Sequence, residues 1–359
     1  MTNNYLKKLA FAVALLVVGL SACKKDSLET SSNPETAGVY LLYEGSYGAN
    51  NSGIDYYDLK TGTVTHDYFN KVNNYSLGET AIQLKQYGNK IYCIVSGSTN
   101  GNNSYLEVLD PSNLKSLRRI PFHKDKDTYL PRAIAFSGNK AYVACQDGYI
   151  RRIDTASLII DKELKAGEQL EGIAIANQKI YTSNSDWSWS GKGSTLSVVD
   201  LKNFTKLKEI EVGSNPTSVE VAHDGNLFVT APGILGGTPT FKKVDTRTDV
   251  VTSSQRLETT LFAIGEKTGY AAIGPYGSTQ VKVFNLSTGE QGSNFITDNT
   301  SITNAKGITV NSLNGDVLIS DSGSYLATEG MAYCFKSDGT LSYKFKTGQG
   351  PQYAVFVYK

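Results

Sequence analysis

Helical periodicity is what this 359-residue sequence most lacks. Apolar residues rarely recur at spacings of three and four, and short alternating runs bounded by Gly, Asn and Asp take their place. That excludes bundles and α/β architectures and leaves an all-β chain. Charge of one sign is also missing: 35 basic residues face 34 acidic ones, and no stretch interleaves Lys or Arg with aromatics, so no nucleic acid partner is expected. No HExxH, GxSxG, CxxC or phosphate-binding loop occurs; "GILGGTP" (233–239) has the glycines of one without the helix that must follow. Histidine is scarce at three residues, leaving little from which to assemble a base or a metal centre. Beyond residue 20 no apolar run approaches the roughly 20 residues of a membrane-spanning helix.

The N-terminus is different in kind. "MTNNYLKKLAFAVALLVVGLSACKKD" has Lys7 and Lys8, a short apolar run from Leu9 to Leu20, then Ser21, Ala22 and Cys23. Basic start, short apolar middle and small residues before a cysteine read as a signal peptide over residues 1–22. Its "LSAC" ending resembles the bacterial lipobox, which implies cleavage before Cys23 and lipidation of that thiol. Residues 23–37 carry charge, Ser, Thr and Pro with almost nothing apolar, the composition of a flexible tether. Membrane contact is therefore expected through the lipid anchor only, with the remaining chain outside the cytoplasm. Three further cysteines, Cys93, Cys145 and Cys334, each sit inside an apolar run and read as buried thiols.

From residue 38 to 359 one unit repeats. "GNKIYCIV" (88–95), "GNKAYVAC" (138–145), "NQKIYTSN" (177–184), "DGNLFVTA" (224–231) and "NGDVLISD" (314–321) each set a polar turn before an apolar strand. A third strand follows, ending at Asp58, Asp110, Asp154, Asp200, Asp245 or Asn285, at intervals of 40 to 52 residues. Four strands per repeat at this period predict propeller blades. The terminal "PQYAVFVYK" looks like a first strand without a unit, and the first unit lacks one, so their pairing closes the ring and removes its open edge. The expectation is an all-β, seven-bladed β-propeller with four-stranded blades. The acidic or amide mark after each third strand is expected to cap the turn into the fourth.

The phrases "NKIYC" and "LSVVDL" resemble the YncE/YVTN-type propellers over residues 38–359. "GVYLLYEGSYGANNSGIDYYDLKTG" and "KGITVNSLNGDVLISD" through "GQGPQYAVF" are similar to surface propeller lipoproteins of the Bacteroidetes, among them the BtuG type that captures vitamin B12. Where that group opens its first blade with Asn-Glu-Gly-Asn, this chain has Tyr43-Glu44-Gly45-Ser46, a departure at two positions. The resemblance implies a lipid-anchored protein of the outer membrane, at the cell surface of a Gram-negative bacterium. It also implies a TonB-dependent transporter as partner; a corrinoid-like ligand is the leading expectation, related propellers serving other cargoes too, and no resident cofactor is expected.

Loops joining second to third strands and loops leading into first strands share one face of a propeller, where chemistry can vary without disturbing the blades. They place Tyr47, Asn50, Asn51, Tyr75, Tyr129, Arg132, Asn184, Trp187, Trp189, Tyr276 and Tyr325 on that face. Rings beside amides and hydroxyls, with few charges, suit a broad uncharged ligand such as a corrin or a glycan. A catechol siderophore would call for more cations than Arg132, Lys124, Lys126 and Lys192. Strand tyrosines such as Tyr92, Tyr142 and Tyr181 are expected to pack within blades. The rival from another class is an interaction scaffold for a glycan or partner protein. Catalysis is not expected; a lactonase-like site would have to draw on Glu44, Asp147, Asp186 or Asp321. His66 is expected in a fourth strand, His223 in a turn facing away, and His123 on the ligand face.

Overall fold

The computed structural model describes residues 34–99, 101–125, 127–186, 192–233, 238–257, 259 and 261–359. The leader, Cys23, Trp187 and Trp189 lie outside the described residues. Seven four-stranded antiparallel sheets form the seven blades of a β-propeller. Their innermost strands, in blade order, are Pro351–Tyr358, Ala81–Tyr87, Pro131–Ser137, Leu170–Ala176, Val219–Val221, Leu261–Ile264 and Ala305–Val310. Each lies against the innermost strands of the two neighbouring blades around the full circle.

Closure takes the expected form. Pro351–Tyr358 pairs antiparallel with Thr36–Tyr43, so the first blade is completed by the end of the chain. Glu35 and Lys359 exchange backbone hydrogen bonds in both directions, which draws Glu35, inside the stretch read as tether, into the sheet. The chain thus enters and leaves the propeller on one face, here called lower. The opposite, upper face carries the loops joining second to third strands.

Buried clusters lie between adjacent blades. Ile134 and Val143 of blade 3, for example, pack with Ile94 and Val108 of blade 2. Aromatic stacking reinforces several seams: Tyr57 of blade 1 lies on Phe345 of blade 7 with ring centroids 4.5 Å apart, and Tyr87 lies on Phe136 at the same separation. Tyr92, Tyr142 and Tyr181 are buried in the blades, as their strand positions implied. Cys93, Cys145 and Cys334 are free and buried, and burial pushes the Cys145 thiol up to about 12.

The turns between third and fourth strands follow one design. Asp58, Asp110, Asp154, Asp200, Asp245 and Asn285 each accept a backbone N–H two or three residues ahead through Oδ1. Four residues after each mark stands a residue with positive φ (Gly62, Leu114, Leu158, Phe204, Asp249, Gly289) whose N–H returns to the carbonyl of the mark. Three of these, Leu114, Leu158 and Phe204, insert buried side chains between blades despite the steric cost of a left-handed conformation. In blade 5 the equivalent side chain is an acid. Asp249 receives the Tyr181 hydroxyl at 2.6 Å and pairs with Lys179 at 2.7 Å and Lys208 at 3.0 Å, binding blade 5 to blade 4.

Blade 1 departs from the expected pattern at its outer edge. Its fourth strand is only Thr63–Thr65, so His66 stands just beyond the strand rather than in it. A short helix, Tyr68–Asn73, follows and inserts Phe69 into the core between blades 1 and 2. Tyr68 stacks on Tyr40, and Asn73 donates to the Leu114 carbonyl of the next blade, which ties the helix to both.

Candidate functional site

Upper loops of blades 1 and 2 share a local design, carried by a Gly-Ser pair and the Asn-Asn-Ser that follows it in both. Ser46 N–H donates to Asn51 Oδ1 at 2.8 Å, and Ser98 N–H donates to Asn103 Oδ1 at 2.9 Å. In each loop the preceding glycine, Gly45 or Gly97, has positive φ, and a Cβ there would strike the asparagine. The buried Glu79 then joins the two loops: one oxygen accepts the Gly48 N–H and the other the Asn103 side-chain amide, both at 2.9 Å. Asn51 therefore closes a turn with the oxygen that a ligand would read. Asn50 donates to the Ser76 hydroxyl at 3.3 Å.

What the upper loops of blades 1, 6 and 7 display is aromatic. Tyr47 is 77 % exposed, Tyr276 58 % and Tyr325 86 %, with Leu326 beside it at 85 %. They stand on blades 1, 6 and 7, three consecutive positions of the ring. The two other tyrosines expected on this face also make packing contacts. Tyr75 meets Phe69 edge to face and lies 4.8 Å from the Arg119 guanidinium, which pairs with the buried Glu107. Tyr129 lies beneath Arg151, whose guanidinium centre sits 3.6 Å from the ring centroid. Arg151 is itself buried and fixed by both oxygens of Asp147 and by Glu163.

Inside the ring of loops opens the axial channel, and its upper end is shaped by β-bulges. In blades 2, 3, 4, 7 and 1 the pairing between first and second strands slips at the upper end, around Ile82, Arg132, Glu171, Lys306 and Gln352. A bulge re-aims a side chain out of the regular alternation. Ile82, Arg132, Glu171 and Gln352 accordingly line a chamber of about 260 Å³ on the axis. Arg132 Nε donates to Glu171 at 2.9 Å, Gln146 donates to the other Glu171 oxygen at 3.3 Å, and Gln352 donates to Glu44 at 2.8 Å. Gly172 and Gly307, next to two of the bulges, let neighbouring backbones close in: a Cβ would lie 2.4 Å from the Thr217 oxygen and 2.1 Å from the Gln352 oxygen.

Three larger clefts flank this mouth. Tyr276 borders one of about 390 Å³ with Pro232, Leu261 and Ile273. Asn184 borders a polar one of about 550 Å³ with Gln146, Asp186, Lys192 and Glu209. Tyr129, Asp147 and Arg151 border a third of about 530 Å³. Asn184 is buried and donates to Thr195 and Ser197, so it also braces the two ends of the upper loop of blade 4. Asn215 fixes the same loop from below, accepting Asp186 N–H at 2.8 Å and donating to the Gly193 carbonyl at the same distance.

Carboxylates weighed for catalysis are engaged elsewhere. Asp321 accepts the backbone N–H groups of Thr303, Asn304 and Gly323. Asp147 holds Arg151, and Glu44 holds Gln352. His66 is 3.2 Å from the buried Asp55, and His123 lies in a two-residue hairpin strand. Among the described residues no three His, Cys, Asp or Glu side chains converge as a metal site requires.

The channel-lining polar residues Gln83, Lys85, Glu171, Glu220 and Gln352 escaped the reading of the sequence, which looked for function in loops. Their signal was present as polar residues inside otherwise apolar first strands, as in "AIQLKQY", "LEGIAIA" and "TSVEVA". Glu79 had no such signal.

A family profile described as a domain of unknown function (DUF5074) matches residues 37–337. No curated protein matches the chain. Among solved structures, a quinonprotein alcohol dehydrogenase-like protein of Bacteroides thetaiotaomicron is similar with a TM-score of 0.66 and 16 % identity, over 89 % of this chain and 78 % of that one. Hydrazine synthase of Kuenenia stuttgartiensis follows at 0.58 and 14 %, over 73 % and 85 % of the two chains. The computationally designed Ika8 protein stands at 0.54 and 16 %, over 87 % and 88 %. At these identities the likeness is one of fold.

Proposed function

The chain belongs to the DUF5074 family, and from that premise we propose that it is a non-catalytic ligand-capture protein of the cell surface. Its upper face takes a broad, largely uncharged ligand, with a corrinoid as the leading candidate, and passes it to a TonB-dependent transporter of the outer membrane. The observation that carries this reading is the exposure of Tyr47, Tyr276 and Tyr325 on loops of three consecutive blades. Large rings left in water on braced loops offer contact area at small entropic cost on binding. Amide and hydroxyl groups in the adjoining clefts suit a ligand rimmed by amides.

The test is calorimetric titration of the propeller, begun at Pro34 to keep the Glu35–Lys359 pair, with cyanocobalamin. Saturable heat at micromolar concentration, lost on replacing Tyr47 and Tyr325 with alanine, supports the reading. No heat and no change in the visible spectrum would sink the corrinoid. Co-purification with a membrane protein in the absence of any small molecule would favour the scaffold instead.

A further inference from the structure

Below the paired groups of the upper mouth, the axial chamber has a differently built floor. Lys85, Glu220 and Tyr353 line both this chamber and the cleft of about 470 Å³ that opens on the lower face, so they stand at the partition between the two. They come from the innermost strands of blades 2, 5 and 1, which only ring closure brings together. At the mouth each charge has a partner: Arg132 has Glu171, and Glu44 has the Gln352 amide. On the floor, among the described residues, the Lys85 ammonium reaches only the Ile134 carbonyl, at a long 3.4 Å, and the Glu220 carboxylate accepts no hydrogen bond. The two opposite charges share one chamber without pairing.

An ammonium has three donors and a carboxylate about four acceptor positions, so most of their bonding capacity is left to the two cavities they line. Glu44, Glu171 and Glu220 against Arg132 and Lys85 make the lining acidic by one charge, which disfavours a simple anion. Apolar walls are supplied by Ile82, Ile173 and Val219. Burial, then the charge of Glu220, pushes the Tyr353 phenol up to about 12, so it stays a neutral donor near that carboxylate.

We propose that the axial chamber is a second binding site, for a small zwitterion of the amino-acid type. Its ammonium is held by Glu220 and its carboxylate by Lys85, with Tyr353 against its stem. The chamber's volume of about 260 Å³ has room for a molecule of that size. This site is separate from the tyrosine crown and does not depend on the ligand proposed for it.

The experiment is a thermal-shift and calorimetric panel on the purified protein, with glycine, alanine, valine and leucine. The matching single-charge compounds, butylamine and butyrate, are run beside them, all to about 10 mM, where even weak affinities register. The expected result is saturable binding of at least one zwitterion, with both single-charge compounds weaker by roughly tenfold or more, as loss of a charged hydrogen bond implies. Glu220→Gln and Lys85→Met each reduce zwitterion binding by a similar factor, while Tyr47→Ala leaves it unchanged. Absence of binding by every zwitterion overturns the proposal. So does equal binding of butylamine or butyrate, a comparison that needs no variant and stands if one fails to fold. Because Tyr47→Ala separates crown from chamber, failure here is distinguishable from failure of the cyanocobalamin titration.

Discussion

The lower turns that join third to fourth strands are near copies of one another; the upper loops that join second to third strands are not. Six of the seven lower turns repeat an Asp or Asn cap and a left-handed residue four positions on, closed by the same backbone bond. The upper loops run from three residues in blade 3 to ten in blade 4. The difference teaches where each kind of free energy is placed. A capped turn gives similar local stability in six of the blades, so the opposite loops are released to differ. The division has exceptions on both sides, and those exceptions are where it can be broken.

The largest effect is expected from Asp249→Ala on the lower face. It removes the carboxylate that Tyr181, Lys179 and Lys208 share, leaving the first two only the Thr246 carbonyl between them. Unfolding in urea should show a loss of about 3 kcal/mol, the scale for breaking a partly buried charged pair. Asn215→Ala, on the upper face, should cost about 1 kcal/mol for the lost bond to Asp186, plus the strain of its left-handed backbone. If it costs nothing, the upper loops are independent of the scaffold altogether.

Acidification tests the lower face as a whole. Burial opposes ionisation of Asp249, but hydrogen bonds from Lys179, Tyr181 and Lys208 outweigh it and hold its carboxyl below the usual value. Turn bonds from Ser112 and Ser157 do the same for Asp110 and Asp154. Folded values below unfolded ones mean stability that is complete above the ordinary aspartate range, about pH 4, and is lost as pH falls through it. Melting temperature should therefore hold between pH 7 and 5 and drop towards pH 3. Asp249→Ala should flatten that drop, and an unchanged slope would remove Asp249 from the account.

The smallest effect on stability is expected where the effect on binding should be greatest. Tyr47→Ala with Tyr325→Ala should shift stability by less than about 0.5 kcal/mol, as exposed positions do. A larger fall in melting temperature would return these rings to the scaffold.

Most of the blade architecture could be read along the chain. Period-two strands, polar turns and the Asp marks are local signals, and the unpaired terminal "PQYAVFVYK" announced closure. Tyr47, Tyr276 and Tyr325 were legible as loop aromatics, since a tyrosine among Gly and Ser has no strand to pack in. Tyr75 and Tyr129 looked the same in sequence. Their fate turned on Arg119 and Arg151, which reach them from neighbouring strands across distances no local pattern encodes. The helix Tyr68–Asn73 was missed because six residues are too few to show a period.

By itself, then, the sequence determined the repeat, the strand edges and the capped turns, because each depends on residues within one blade. Only tertiary structure decided the channel. Bulges shifted Arg132, Glu171 and Gln352 out of alternation, and ring closure carried Lys85, Glu220 and Tyr353 from three distant strands to one axis. A polar residue in an apolar strand has no partner until seven blades meet, and its chemistry is set by what stands opposite.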